Sequence, residues 1–345
     1  MVFIRPVAKN DLEPLLDLAS RAGAGLTNLP RDRGLLKKRI DKSVHSFANF
    51  PPERPGGEAY LFVMEDSATG GVVGACGIMA KVGGYEPFYS YRIETTVFES
   101  KQIKVHKEVP ILMLVEDHDG PCEIGSLFLH PDYRGDGNGR LLQLVRFLFM
   151  ADNPDAFEAT VVSELRGVSS EAGQSPFWDA LGAHFFGIDF PEADRLSIVN
   201  KKFIADLMPE HPIYIPLLPK SAQEVIGRPH KDGVHAMKNL ENEGFKFANM
   251  VDIFDAGPVL SCPRDEVRTI KQSRKLTVAG LVDGEIASSM FMISNAKTDF
   301  RACKGPVQVA DDTSLKLSKD CAAVLKVEPG EQVRICELAP PKKQD

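Results

Sequence analysis

The chain has 345 residues, 43% hydrophobic and 26% charged, enough for one large or two ordinary globular domains of a soluble protein. Its formal net charge of −7 argues against a general nucleic-acid binder, because neutralising phosphates needs a basic surface. No apolar run approaches a bilayer span, the start (Met1-Val2-Phe3-Ile4-Arg5) lacks a secretory signal, and the six cysteines are scattered without a Cys-x-x-Cys pair, so the chain reads as cytoplasmic with reduced core thiols.

Residues 3–7 read as a first strand. Asp11 is placed to cap a helix with Leu12, Leu15, Leu16 and Leu18 on one side, ended by Gly23 and Gly25. A second helix over about residues 31–47 carries Leu35, Leu36, Ile40 and Val44 at helical spacing. Strands are expected at 59–64 and 72–80, joined by a turn at Ser67-Ala68-Thr69-Gly70-Gly71, then near 89–98 and 111–115.

Residues 123–146 carry the most information. An apolar strand ending in Leu127-Phe128-Leu129 leads through Pro131-Asp132-Tyr133-Arg134 into Gly135-Asp136-Gly137-Asn138-Gly139. An amphipathic helix follows, burying Leu141, Leu144, Val145 and Leu148, and then a strand at 159–165. Glycines at a helix start leave N–H groups bare, and with the helix dipole they suit a phosphate. Three glycines in five residues also make a plain tight turn, but the flanking strand, lead-in turn and helix favour the anion site.

Past Gly167 the pattern becomes helical. Ser175 caps a short helix with Pro176 in its first turn, and further segments lie at 193–197, 202–207, 221–226 and 234–243. A strand at 245–254 ends in Asp255-Ala256-Gly257-Pro258. The remainder is mostly short β runs at 276–282, 288–293, 306–309 and 332–338, with a helix at 317–325, as in a small barrel or sandwich. Only the tail, 340–345, reads as disordered.

Arg134-x-x-Gly137-x-Gly139 resembles the pyrophosphate loop of the acyl-CoA-dependent N-acyltransferase (GNAT) superfamily. The resemblance implies that Arg134, Gly135, Gly137, Asn138 and Gly139 hold coenzyme A. It further implies that Leu127, Phe128 and Leu129 offer backbone groups to the pantetheine arm, one N–H polarising the thioester carbonyl.

Longer motifs narrow the family. Tyr85-Glu86-Pro87-Phe88-Tyr89-Ser90-Tyr91-Arg92, Glu164-Leu165-Arg166-Gly167, Ser175-Pro176-Phe177-Trp178, Leu207-Met208-Pro209-Glu210-His211-Pro212-Ile213-Tyr214 and Val251-Asp252-Ile253-Phe254-Asp255-Ala256-Gly257-Pro258 resemble arginine N-succinyltransferases, including arginine/ornithine succinyltransferase subunits, over essentially the whole chain. The resemblance implies an α/β (α+β) fold: a GNAT-like mixed twisted sheet flanked by helices, a helical middle segment and a small C-terminal β-rich domain. The expected division is 1–260 (core 1–167, extension 168–260) and 261–345. It implies transfer of succinyl from succinyl-CoA, as co-substrate, to the α-amino group of L-arginine, in arginine breakdown, by a homo- or hetero-oligomer with no metal or further cofactor, no nucleic acid and no membrane. An N-acyltransferase specific for ornithine or another amine and a weakly catalytic CoA-binding subunit of a hetero-oligomer are the alternatives.

The family's succinyl-CoA-contacting leucine falls on Leu127 and its proton-handling histidine on His230, although Pro229 before it and Lys231 after it depart from the usual pattern. Histidine suits the task, since an α-ammonium must lose its proton before attacking a thioester. His235 is an equal candidate on local sequence alone; His211 reads as structural and His130 as a strand end. No spacing suggests a covalent acyl-enzyme, so direct attack in a ternary complex is expected. Arg92, Arg166, Glu94, Glu164, Asp252 and Asp255 form the pool for reading the substrates' charges, and Trp178 reads as core.

Overall fold

The computed structural model describes residues 1–21, 29–199 and 201–339; the expected helix-ending glycines Gly23 and Gly25 and the tail 340–345 lie outside them. The strands are β1 Val2–Pro6, β2 Ala59–Asp66, β3 Gly71–Met79, β4 Gly83–Ser100, β5 Val105–Asp119, β6 Cys122–Leu129, β7 Thr160–Glu164, β8 Ile213–Tyr214, β9 Lys246–Val251, β10 Pro258–Pro263, β11 Arg274–Val282, β12 Met290–Asn295, β13 Ala302–Val309, β14 Ser314–Ser318 and β15 Gln332–Glu337. They form one mixed sheet in the order β12-β15-β11-β14-β13-β1-β2-β3-β6-β7-β10-β9-β4-β5-β8.

Side-chain alternation sets the layers. Leu61 and Val63 of β2 point to one face and meet Leu15 and Leu18 of α1 (Leu12–Arg21) and Leu36 and Ile40 of α2 (Arg33–Ala48). Phe62 and Met64 point to the other and meet α3 (Asn138–Asp152). The almost unbroken apolar runs of β2 and β3 follow from this, since strands covered on both faces lose the polar half of the alternation. The mixed sheet with helices on both faces is the fold class the sequence implies.

The expected amphipathic helix is more deeply placed than its pattern suggested. All ten residues from Leu141 to Met150 are buried, because α3 lies between the sheet and the C-terminal strands. Asp11 also differs. It sits in a 3-10 turn before α1, and its carboxylate accepts from the Ala8 N–H at 2.7 Å and from Arg5 at 2.7 and 2.9 Å, tying the turn to β1.

In the C-terminal part, β12 pairs with both β15 and β13, so β12-β15-β11-β14-β13 closes into a five-stranded barrel. Its core holds Leu276, Val278, Ile293, Leu315, Leu317 and Ile335. β13 pairs in turn with β1, linking the barrel to the main sheet through Phe3–Cys303 and Ile4–Ala302. β4 and β5 are longer than the apolar signal at 89–98 and 111–115: the hairpin runs outward, its far part carrying the exposed Val97, Phe98, Ile103 and Val105.

Candidate active site

The loop after β6 is shaped by backbone geometry. Gly135 has φ +106° and Gly137, the N-cap of α3, has φ +75°, a region other residues enter only with strain. A Cβ on Gly137 would also stand 2.8 Å from Leu338 Cδ2. The Asn138 amide donates to the Tyr133 carbonyl (2.9 Å) and its N–H to the Gly135 carbonyl (3.0 Å), fixing the entry to the helix. Among the described residues, the N–H groups of Gly135, Asp136, Gly137, Gly139 and Arg140 have no acceptor. Five unsatisfied donors at a helix start make an anion cradle. Arg134 lies exposed beside it, its Nε 3.4 Å from the Leu129 carbonyl, and Lys304 of the barrel donates to the Asp136 carbonyl.

Upstream, β6 is bulged. Gly77 pairs with Gly125 while Ala75 pairs with Phe128, so three steps on β6 match two on β3. Ser126 takes the strain at φ +55°, and its hydroxyl accepts from Arg39 of α2 at 2.7 Å. On the other face, the buried Arg146 donates to the carbonyls of Gly77 (3.2 Å), Gly125 (3.0 Å) and Gln143 (2.9 Å), meeting acceptors the bulge exposes. Leu127 is half-buried toward α3, Phe128 packs toward α1 and α2, and Leu129 is buried. β6 and β7 pair in parallel only through Cys122–Val161 and Glu123–Val162; beyond that they part, leaving the 125–129 backbone unpaired on the β7 side. Carboxyl ends of parallel strands that separate are where α/β sheets take ligands.

His230 comes to the corresponding end of β7. Gly167 and Pro229 form a bridge, and the His230 N–H donates to the Arg166 carbonyl at 2.7 Å. The imidazole is 8% exposed, and its Nδ1 accepts from the Asp232 N–H at 3.2 Å, which places the ring proton on Nε2. Burial and the nearby Arg166 guanidinium push its pKa below the ordinary 6.5, with Asp232 pulling the other way. His235, by contrast, is exposed. His130 makes the same cap, accepting from the Asp132 N–H at 3.3 Å, and closes β6 as expected of a strand end.

Between these ends stands a set of carboxylates. Burial raises Glu164 well above the carboxylate range, and the charges of Asp252 and Glu123 push the same way while Lys201 opposes. Glu123 and Asp252 are raised by burial too, and Asp194 is pushed up to about 7 by burial and by Asp252. Yet Glu123, Glu164, Asp194 and Asp252 each keep part of their surface accessible. Crowded acids with some open surface stand at the edge of the core rather than inside it.

The rest of the charge pool separates. Arg92 and Glu94 pair with each other at 2.6 Å on the exposed outside of β4. Asp255 is 5% exposed and spends both oxygens on backbone N–H groups, of Gly167 (2.7 Å) and Gly257 (2.9 Å), so it staples the 252–257 turn to β7. Trp178 is fully buried, its Nε1 donating to the Ile188 carbonyl. All six cysteines are free and buried. Among the described residues no group of three His, Cys, Asp or Glu side chains is set to hold a metal ion, and no helix is long and apolar enough to cross a membrane.

Sequence reading missed Arg39, Ser126, Arg146, Glu123, Asp194 and Lys201. Arg146 left a signal, a single charge inside the apolar run Leu141–Met150; the others are joined only by sheet register.

A bulged strand, an N–H-lined loop and a following helix beside a parting parallel pair define an acyl-CoA-dependent acyltransferase of the GNAT type. Residues 2–269 match the family described as the arginine N-succinyltransferase beta subunit, and 274–337 match its C-terminal domain. The chain is 44% identical to an arginine N-succinyltransferase of Enterobacter sp. (strain 638) and 42% identical to one of Escherichia coli (strain 55989 / EAEC), in both cases over 99% of each chain. The solved structure of arginine/ornithine succinyltransferase subunit AI from Pseudomonas aeruginosa is 36% identical, with a TM-score of 0.90 over 98% of this chain and 99% of that one. The chain belongs to the arginine N-succinyltransferase family.

Proposed function

We propose that this protein transfers the succinyl group of succinyl-CoA to the α-amino group of L-arginine, giving N2-succinyl-L-arginine and free coenzyme A. The observation that carries the reading is the similarity to arginine N-succinyltransferases over 99% of the chain. The anion cradle at 135–140 supports it, since a diphosphate needs several N–H donors together.

In this reading the pyrophosphate sits on Gly135, Gly137, Asn138 and Gly139, with Arg134 alongside. The pantetheine arm follows Leu127–Leu129 along the unpaired side of β6, and a backbone N–H there holds the thioester oxygen as charge develops on it. His230 first draws the proton off the α-ammonium and passes it to bulk water, and the free amine then attacks the thioester carbon directly. His230, neutral because of its burial and Arg166, takes the proton the new ammonium releases. As the C–S bond breaks, the imidazolium returns that proton to the departing thiolate, so the histidine ends unchanged. The chain works in the cytoplasm, as an oligomer of this chain or with a related subunit, and the barrel strands β11–β15 form a small C-terminal domain set on the transferase region, which runs through β10.

The test is thiol release by the purified chain from succinyl-CoA and acetyl-CoA, with L-arginine, L-ornithine or no amine, and the mass of each product. Ornithine is included because the Pseudomonas relative's description names both amino acids. Arginine-dependent release from succinyl-CoA with N2-succinylarginine formed is expected. Release that ignores arginine contradicts the proposal.

A further inference from the structure

Sheet register carries Glu123, Glu164 and Asp252 to one face. Glu123 stands beside Val162 in the parallel pair, and Glu164 repeats that side two residues on. Glu164 pairs with Val259 and Val259 with Met250, so Asp252, two residues further, points the same way. Met250 pairs with Arg92 and Val251 with Tyr91, so Ser90, two residues from Arg92 on β4, lies on that same face. This is the face that carries α2, away from α3.

An independent observation marks the place. Ser90 is 0% exposed and its hydroxyl has no hydrogen-bond partner; Glu164 Oε1 is likewise enclosed and unpartnered. Buried polar atoms are almost always paired, so two orphans on one face point to a donor that arrives with the substrate. Lys201 bears on all three carboxylates and Arg39 on Glu123, while the Asp252 charge pushes Glu164 further up, so the face gathers more acid than base. The gap is therefore cationic and rich in donors.

We propose that this acidic face carries the guanidinium subsite, with Glu164 the main acceptor and Asp252 and the Ser90 hydroxyl on the same side. This rests on the transferase reading and names what that site reads in its acceptor. A guanidinium presents five N–H donors in a planar fork and can span two carboxylates; a lone ammonium cannot. Glu164 lies two residues before Arg166, whose carbonyl anchors His230, so a side chain gripped at Glu164 leaves the α-amine free to reach the gap between β6 and β7.

The test uses the full chain and L-citrulline, which has arginine's shape with a neutral ureido group. Glu164→Gln and Asp252→Asn remove charge while keeping size, and Asp252→Asn keeps the Oδ1 that accepts from the Phe254 and Asp255 N–H groups, so melting curves are expected to match the wild type. Each variant is expected to raise the KM for L-arginine about 10- to 100-fold and to shrink the arginine-over-citrulline preference alike, with the KM for succinyl-CoA unchanged. Calorimetric titration of L-arginine into the wild type and the variants, with coenzyme A present, reads binding without turnover. Binding weakened in both variants supports the subsite. Arginine binding and preference unchanged in both overturn it, even if the wild type transfers succinyl well; a wild type that binds arginine through Glu164 yet transfers nothing overturns the transferase reading instead.

Discussion

The His230 N–H donates to the Arg166 carbonyl across 2.7 Å, fastening the histidine's loop to the end of β7 and bringing the Arg166 charge near the imidazole. Burial and that charge both favour the neutral ring, so the imidazole is in the form the proposed base role needs above its lowered pKa. We expect kcat/KM for succinyl-CoA at saturating arginine to rise with pH along an acid limb whose midpoint lies below 6.5. His230→Gln should lower kcat by about 10²- to 10⁴-fold and flatten that limb, with succinyl-CoA binding retained.

The same shift has a consequence for stability. A histidine held neutral in the fold binds fewer protons than the unfolded chain between its folded pKa and about 6.5. Its contribution is fully present above 6.5 and is lost as the pH falls through the folded value. Denaturation of the wild type between pH 7.5 and 5 should show a decline that is shallower in His230→Gln.

Gly137 is the loop position least able to accept a side chain. Gly137→Ala must carry a Cβ at φ +75° and 2.8 Å from Leu338 Cδ2. A loss of about 1–2 kcal/mol of stability is expected from the strained dihedral, together with a raised KM for succinyl-CoA. Arginine binding should be spared.

Asp255→Ala strips partners from the Gly167 and Gly257 N–H groups in a buried turn. Each stranded donor costs about 1–3 kcal/mol, so urea denaturation should reveal a loss of several kcal/mol. Activity measured well below the midpoint should fall less than in His230→Gln.

Arg146→Met leaves the Gly77 and Gly125 carbonyls without their donor beneath the β6 bulge. The buried charge is itself costly, which offsets part of the loss. We expect net destabilisation and, if β6 receives the pantetheine arm as proposed, a raised KM for succinyl-CoA, because that strand relaxes.

What could be read beforehand follows from range. The loop and start of α3 rest on glycine spacing and a local apolar run, and both lie where 123–146 placed them. The barrel was legible as short β runs, though β14 was absorbed into the helix that begins at Lys319. β10 went unread because prolines bound it at 258 and 263, and β8 has only two residues. The acidic face was out of reach for a different reason: Glu123, Glu164 and Asp252 meet through three strand pairings, and no local pattern encodes register between distant segments.

The measurement that bears most directly on the account is a crystal structure of the chain soaked with succinyl-CoA. It should show diphosphate oxygens within hydrogen-bond distance of the backbone N–H groups of residues 135–140 and the thioester between the ends of β6 and β7. Ligand density seated elsewhere, or none at saturating concentration, would contradict it.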